Sequence, residues 1–183
     1  YYKWWKNIDK FLLFLIIFLF TIGLFFSLVS TSLLVSDKLE TNDYTFFFKH
    51  LTFVILGLII IFVLSSINEK KLLKISPIIF ILSLFSLMLV PIIGVEVNSA
   101  QRWIDLYMLP RFQPIELVKP FLIISISLIL SSEKYSNLYF KYFLSFSTTL
   151  IVALFLVLQP DIGQTLLVIF SWLILVFTSG INI

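Results

Sequence analysis

No cysteine occurs anywhere in the 183 residues, which removes disulfides and thiolate metal sites from consideration. A single histidine, His50, leaves no way to build a histidine-rich metal centre or a serine–histidine pair except through that one residue. Charge is scarce too: Asp, Glu, Lys and Arg make up 13% of the chain, against about 25% in soluble domains. Alanine stands only at Ala100 and Ala153. No internal repeat, low-complexity tract or composition break marks a separate soluble domain, and nucleic acid is not an expected partner.

What is present is hydrophobic. Apolar residues make up 60% of the chain, with 21 phenylalanines, a composition for dissolving in lipid rather than for folding around a water-shielded core. Apolar stretches run over residues 11–35, 51–67, 75–95, 114–132, 142–158 and 162–181. Most reach the ~17 to 25 residues that cross about 30 Å of hydrocarbon as a helix. The fourth reaches that length only if counted from Pro114, which brings Glu116 and Lys119 into its first turn. None shows the alternation of polar and apolar residues that barrel strands require. The expectation is an all-α, polytopic membrane bundle of six helices forming one membrane domain over residues 1–183.

The first stretch is too long for a signal-peptide core and no small-residue cleavage site follows it, so it is read as a retained span. Charges between the stretches set the direction. One set of alternate loops carries Lys3, Lys6, Lys10, Lys70, Lys71, Lys74, Lys134 and Lys141 against Asp9, Glu69 and Glu133. The other carries Lys38, Lys49, Arg102, Arg111 and Lys119 against seven acids. The positive-inside rule makes the first set, with the N-terminus, cytoplasmic. Tyr1, Tyr2, Trp4 and Trp5 suit an interfacial aromatic belt before the first span. The chain begins without Met and ends at Ile183 with no basic anchor after the sixth stretch, so the expectation is a piece of a larger protein whose later spans are missing.

Polar chemistry concentrates at the outer ends of the spans, where charge is costly and tends to be kept for a purpose. Residues 96–114 and the helix after them hold Arg102, Trp103, Asp105, Arg111, Gln113, Glu116 and Lys119. Pro114 suits the opening turn of a helix, where its missing N–H costs nothing. The helix dipole favours Glu116 near that end and disfavours Lys119, while their spacing of three lets them pair. Pro120 then bends the helix and frees the Glu116 carbonyl. Two readings stand for Lys119: a snorkelling lysine neutralised by its neighbour, or one wall of a polar cavity open to the outer surface. Arg102 and Arg111 have the chemistry to hold a phosphate or pyrophosphate, and Trp103 to stack on a sugar or to anchor at the interface. In Gln159-Pro160-Asp161-Ile162-Gly163-Gln164, the acid and the glutamine three residues on form a capping box, a structural reading that still leaves Asp161 able to bind a cation or orient a substrate. Pro91 is expected to kink the third span and Gly94 to ease its exit, and His50 to meet the lipid headgroups.

Three segments carry a resemblance. Asn98-Ser99-Ala100-Gln101-Arg102-Trp103-Ile104, Phe112-Gln113-Pro114-Ile115-Glu116-Leu117-Val118-Lys119 and Gln159-Pro160-Asp161-Ile162-Gly163 stand in the order and at the spacing of the N-G-A-x-R-W-I, F-Q-P-S-E-x-x-K and Q-P-D-x-G motifs of the SEDS family of cell-wall proteins, FtsW, RodA and SpoVE. Ser99 replaces the usual Gly and Ile115 the usual Ser. Lys119-Pro120-Phe121, Gly163-Gln164-Thr165 and the opening Trp4-Trp5-Lys6-Asn7-Ile8-Asp9 look more like the FtsW branch of alphaproteobacterial type than RodA.

The resemblance covers six of the family's ten or so spans. It implies a peptidoglycan glycosyltransferase that polymerises lipid II at the outer face of the bacterial cytoplasmic membrane during septal wall synthesis, with a class B penicillin-binding protein and other division proteins as partners and membrane lipids around it. No organic cofactor is expected; a divalent cation, Mg or Mn, would neutralise the pyrophosphate leaving group. The resemblance places the catalytic Asp beyond Ile183, so these residues are expected to supply cavity or substrate contacts (Arg102, Trp103, Gln113, Glu116, Lys119 and Asp161) and to be inactive alone. The alternatives are a lipid II flippase and a non-enzymatic scaffold that activates the penicillin-binding protein. Charges crowding the outer ends rather than mid-span positions favour surface chemistry over a translocation path.

Overall fold

The computed structural model describes residue 5 and residues 8–34, 45–97, 100–105 and 111–180. Of the sequence features above, Tyr1, Tyr2 and Trp4, the loop at 37–43, Asn98 with Ser99, and residues 181–183 lie outside the described residues. Among the described residues, six helices can be given bounds, in chain order: α1 Lys10–Leu34, α2 Thr45–Ser66, α3 Glu69–Ile93, α4 Pro114–Ser131, α5 Leu138–Leu158 and α6 Ile162–Thr178. Five are long and apolar enough to cross a bilayer, and α6 is a shorter apolar helix of 17 residues, covering about 26 Å at the helical rise. Helices α2, α3 and α5 begin before the apolar stretches do, because the helix runs on through a more polar first turn that hydropathy does not mark. The membrane bundle expected from the sequence is therefore the architecture found.

The chain divides into two compact units, Tyr1–Asn68 and Glu69–Ile183. In the first, Asp9 caps α1 by accepting from the backbone N–H groups of Phe11 at 2.9 Å and Leu12 at 3.1 Å. Helices α1 and α2 meet through small residues: Gly57 faces Phe20, and Gly23 faces the imidazole of His50, whose Cε1 lies 3.5 Å from where a Cβ would stand. Most other side chains of this pair, including Phe11, Phe14, Phe25 and Ile59, are exposed, as a lipid-facing surface requires and a water-facing one would not tolerate.

In the second unit, α4 packs on α3, α5 and α6, and its buried Ile115, Val118, Leu122 and Ile126 join Leu87, Val152, Leu156 and Val168 in one core. Pro91 lies inside α3 and cannot donate to the carbonyl of Leu87 four residues earlier. That carbonyl is taken instead by the Gln159 side chain, 4% exposed, whose Nε2 donates at 3.3 Å. The expected kink is thus a docking point between α3 and the end of α5. A Cβ on Gly94 would collide with the Val90 carbonyl, so glycine is required where α3 ends. At the opposite end Asn137 caps α5 by accepting from the Tyr139 N–H at 2.9 Å, and Lys141 Nζ donates at 3.2 Å to the Leu130 carbonyl in the last turn of α4. Within the apolar layer, Trp172 Nε1 donates to Ser145 Oγ at 3.0 Å, joining α6 to α5.

One addition departs from an all-helical chain. After α3 the backbone forms a two-stranded antiparallel hairpin, β1 Val95–Val97 and β2 Ala100–Trp103, with an irregularity between Val95 and Glu96. Ile104 and Phe112 then exchange backbone hydrogen bonds at 3.0 and 3.1 Å, closing the neck of the following loop. The segment expected to be plain loop is a small ribbon leading directly into Pro114.

Candidate functional site

The ribbon, the start of α4 and the turn between α5 and α6 meet at one end of the second unit, and polar side chains converge there. Helix α4 opens without a side-chain cap at Gln113; Pro114 occupies the first turn, and Glu116 N donates to the Gln113 carbonyl at 3.0 Å. The Gln113 side chain is therefore available to reach across to α6, where its Nε2 donates to Asp161 Oδ2 at 3.2 Å. Asp161 is the N-cap of α6 and accepts from the Gln164 N–H through Oδ1 at 3.4 Å. It is 8% exposed, so its charge needs partners.

The main cationic partner is Arg102 from β2. Its Nε lies 3.6 Å from Asp161 Oδ2 and 3.4 Å from the Gln159 carbonyl, and its Nη2 donates to the Pro160 carbonyl at 2.6 Å. Those carbonyls lie just past the C-terminus of α5, beside the negative end of its dipole, while Asp161 sits at the positive end of α6. One guanidinium thus fastens the ribbon to the α5–α6 turn. Beside it, Glu116 Oε2 pairs with Lys119 Nζ at 2.8 Å, three residues apart as the spacing predicted, with the Lys119 side chain 18% exposed and that of Glu116 56%.

The capping box forms only in part. Gln164 does not reach back to Asp161 N, which donates to the Leu156 carbonyl at 2.9 Å; its side chain instead donates through Nε2 to Glu116 Oε1 at 3.4 Å. Gln164 therefore links the two carboxylates, and its buried Oε1 has no hydrogen-bond partner. A buried amide oxygen without a donor is unfavourable unless a hydroxyl or N–H from elsewhere reaches it.

Of the six residues the sequence singled out, the structure joins Arg102, Gln113 and Asp161 directly, and Glu116 with Lys119 through Gln164. Trp103 stands at the end of β2, half-buried and paired with Val95. Arg111 binds Asp105 at 3.0 Å within the loop, away from this group of contacts. Arg102 is engaged by two carbonyls and a carboxylate, and Arg111 by an exposed ion pair. Gln159 and Gln164 were not among the expected site residues. For Gln159 the signal was the proline at position 91, which creates an unsatisfied carbonyl that some donor must fill. A cavity of about 290 Å³ opens beside this group, lined by Pro91, Glu96, Gln101, Gln159 and Pro160 among others.

Among the described residues no three metal-ligating side chains converge, and both carboxylates already accept from a cation or an amide. The arrangement is a closed polar network offering one buried amide oxygen and one exposed carboxylate edge.

Comparison with known proteins places this geometry. The profile of the FtsW, RodA and SpoVE family, described as cell cycle proteins, matches residues 10–183. Similar relatives include proteins named probable peptidoglycan glycosyltransferase FtsW from Haemophilus influenzae, 30% identical over 96% of this chain, and from Wigglesworthia glossinidia brevipalpis, 33% identical over 96%. They are spanned over 44% and 46% of their own lengths, so the chain covers just under half of the curated relatives it matches. Among solved structures, the rod shape determining protein RodA of Thermus thermophilus superposes with a TM-score of 0.79 at 29% identity, over 96% of this chain and 55% of its own. A chain from a study of the coordination of polymerization and crosslinking by a peptidoglycan synthase complex superposes with a TM-score of 0.72 at 28% identity, over 90% of this chain and 47% of its own.

Proposed function

Because the chain belongs to the FtsW, RodA and SpoVE family of cell cycle proteins, an integral membrane family, we propose that it forms part of a peptidoglycan glycosyltransferase that polymerises lipid II at the outer face of the bacterial cytoplasmic membrane, in septal wall synthesis. The observation that carries this reading is the joined pair of carboxylates, Glu116 and Asp161, held with Lys119 and Arg102 at the ribbon-bearing end of the bundle. In the reaction a sugar hydroxyl of one substrate attacks the anomeric carbon of another, the glycosidic bond forms, and undecaprenyl pyrophosphate leaves.

The residues here orient substrate rather than take its proton. Glu116 presents an exposed oxygen edge to sugar hydroxyls, Gln164 Oε1 accepts from a hydroxyl or an amide N–H, and Arg102 keeps the ribbon, with Trp103 on it, fixed against the α5–α6 turn. The general base is assigned to the part of the relatives' length that this chain does not span. A divalent cation, magnesium or manganese, would neutralise the charge on the pyrophosphate leaving group, and Glu116, with its exposed carboxylate edge, is the acid of this network that could face it. A class B penicillin-binding protein is the proposed partner, in keeping with the synthase complex among the structural neighbours.

Reconstituted with lipid II, a divalent cation and an inactive-transglycosylase partner, the full-length protein is expected to yield glycan strands on a gel. Strand formation only when an independent polymerase is added would leave the scaffold reading, and lipid II movement between leaflets without strands would leave the flippase reading. Among the described helices of the second unit, charged residues lie within the first two turns and not at mid-span, which favours polymerisation.

Orientation is part of the same proposal. With the ribbon outside, Lys70, Lys71, Lys74, Lys134 and Lys141 fall on the cytoplasmic side. An impermeant thiol reagent is expected to label Asn42→Cys and not Asn137→Cys in intact cells; the reverse pattern would invert the topology.

A further inference from the structure

At the lysine-rich end of the second unit, remote in sequence and position from the ribbon, α3, α4 and α5 leave a cavity of about 370 Å³. Its size falls within the roughly 300 to 1,000 Å³ of small-molecule and lipid sites. Phe80, Ile81, Leu128 and Leu144 make its walls apolar, and Ile81, 62% exposed, leaves it open to the side. At its end stand Ser132, Lys134 and Tyr135 from the loop between α4 and α5.

Ser125 also lines the cavity. It is 7% exposed, and its hydroxyl has no hydrogen-bond partner, unlike Ser76, Ser83, Ser127 and Ser145, each of which bonds a carbonyl of its own helix. A buried hydroxyl without a partner is unfavourable unless something else accepts from it. Ser125 lies seven residues from Ser132, about 10 Å along the helix, so it stands inside the apolar layer, and the cavity connects it to the end where Lys134 stands. The acceptor that a glycerolipid could draw into the cavity to meet this hydroxyl is an ester carbonyl.

We infer that this cavity holds one anionic phospholipid, with an acyl chain between α3, α4 and α5, an ester carbonyl accepting from Ser125 Oγ, and the phosphate against the Lys134 ammonium. Charge favours an anionic headgroup over a zwitterionic one. Lys134 is exposed, and Lys70, Lys71 and Lys74 on α3 and Lys141 on α5 surround the same end of the unit against only Glu69 and Glu133. Lys141 already donates to the Leu130 carbonyl, which leaves Lys134 as the group at the cavity itself. Such a lipid would wedge three helices together from the leaflet opposite the proposed glycan site.

Native mass spectrometry of the full-length protein, released from dodecyl maltoside and titrated with dioleoyl phosphatidylglycerol or dioleoyl phosphatidylcholine, tests this. One phosphatidylglycerol is expected to stay bound with about fivefold preference over phosphatidylcholine. Lys134→Gln should erase that preference, Ser125→Ala should weaken both lipids alike, and Leu144→Trp, which fills the cavity, should abolish the tightly held lipid. Inorganic phosphate at millimolar concentration should not displace it, because the acyl chain supplies most of the binding. Equal retention of both lipids by the wild type, or phosphatidylglycerol binding by Lys134→Gln indistinguishable from wild type, would overturn the proposal, as would displacement by inorganic phosphate. Should Leu144→Trp fail to fold, the exposed Lys134→Gln substitution decides the matter.

Discussion

Glu116→Ala in the full-length protein is expected to lower lipid II polymerisation by about 100-fold while membrane insertion and expression stay intact. The substitution removes the exposed carboxylate edge of the site and strands two groups: Lys119, whose ammonium lies 2.8 Å from it, and Gln164, whose Nε2 lies 3.4 Å away. Because Glu116 is more than half exposed, water screens the pair, and the loss of stability should be only about 1 kcal/mol. The effect on rate and the effect on folding are thus well separated. The double variant Glu116→Ala, Lys119→Ala removes both charges and should recover thermal stability without recovering activity. If that double variant makes polymer at the wild-type level, Glu116 and Lys119 have no part in substrate orientation.

Asp161→Ala should have the larger structural effect. Three donors converge on this one carboxylate: Gln113 Nε2, Arg102 Nε and the N–H of Gln164. Loss of the helix cap is worth about 1 kcal/mol, and loss of charge-assisted bonds at a nearly buried carboxylate about 1.5 to 3 kcal/mol more. The melting temperature in detergent is then expected to fall on the order of 5 to 10 °C. Asp161→Asn keeps a cap oxygen and loses only the charge, so it should fall between the alanine variant and wild type. Identical melting of all three proteins would mean that the ribbon is held by the Gln159 and Pro160 carbonyls without help from the acid.

The parts of this structure that could be read from sequence are those that depend on short-range patterns. Six apolar stretches located six helices because lipid imposes a length and a composition on anything that crosses it. Glu116 and Lys119 could be paired by their spacing, and Asp161 could be recognised as a cap by its place before an apolar run. The ribbon could not: β1 has three residues and β2 four, too few for an alternation to register. Nor could the partners of Arg102, since the carbonyls it binds lie 57 and 58 residues further along the chain and carry no side-chain signature. Gln164 was visible as half of a capping box, yet a local rule cannot know that Glu116, 48 residues earlier, will stand within reach. The Gln159 contact lies between these cases, because the acceptor was predictable from Pro91 and only the donor was not.

Helix α4 carries a consequence for biogenesis. It has the lowest hydropathy of the five candidate spans and the largest buried share, it contains Pro120, and its first two turns hold a charged pair, whereas α1 is the most apolar and has no buried residue over Lys10–Val29. Helices such as α1 leave the translocation channel for lipid on their own merits. Helix α4 gains less from lipid and more from α3, α5 and α6, so its release is expected to wait until those neighbours have been synthesised. Nascent chains halted just after Ser131 should therefore remain crosslinkable to the channel and open to quality-control proteases, and those extended past Thr178 should not.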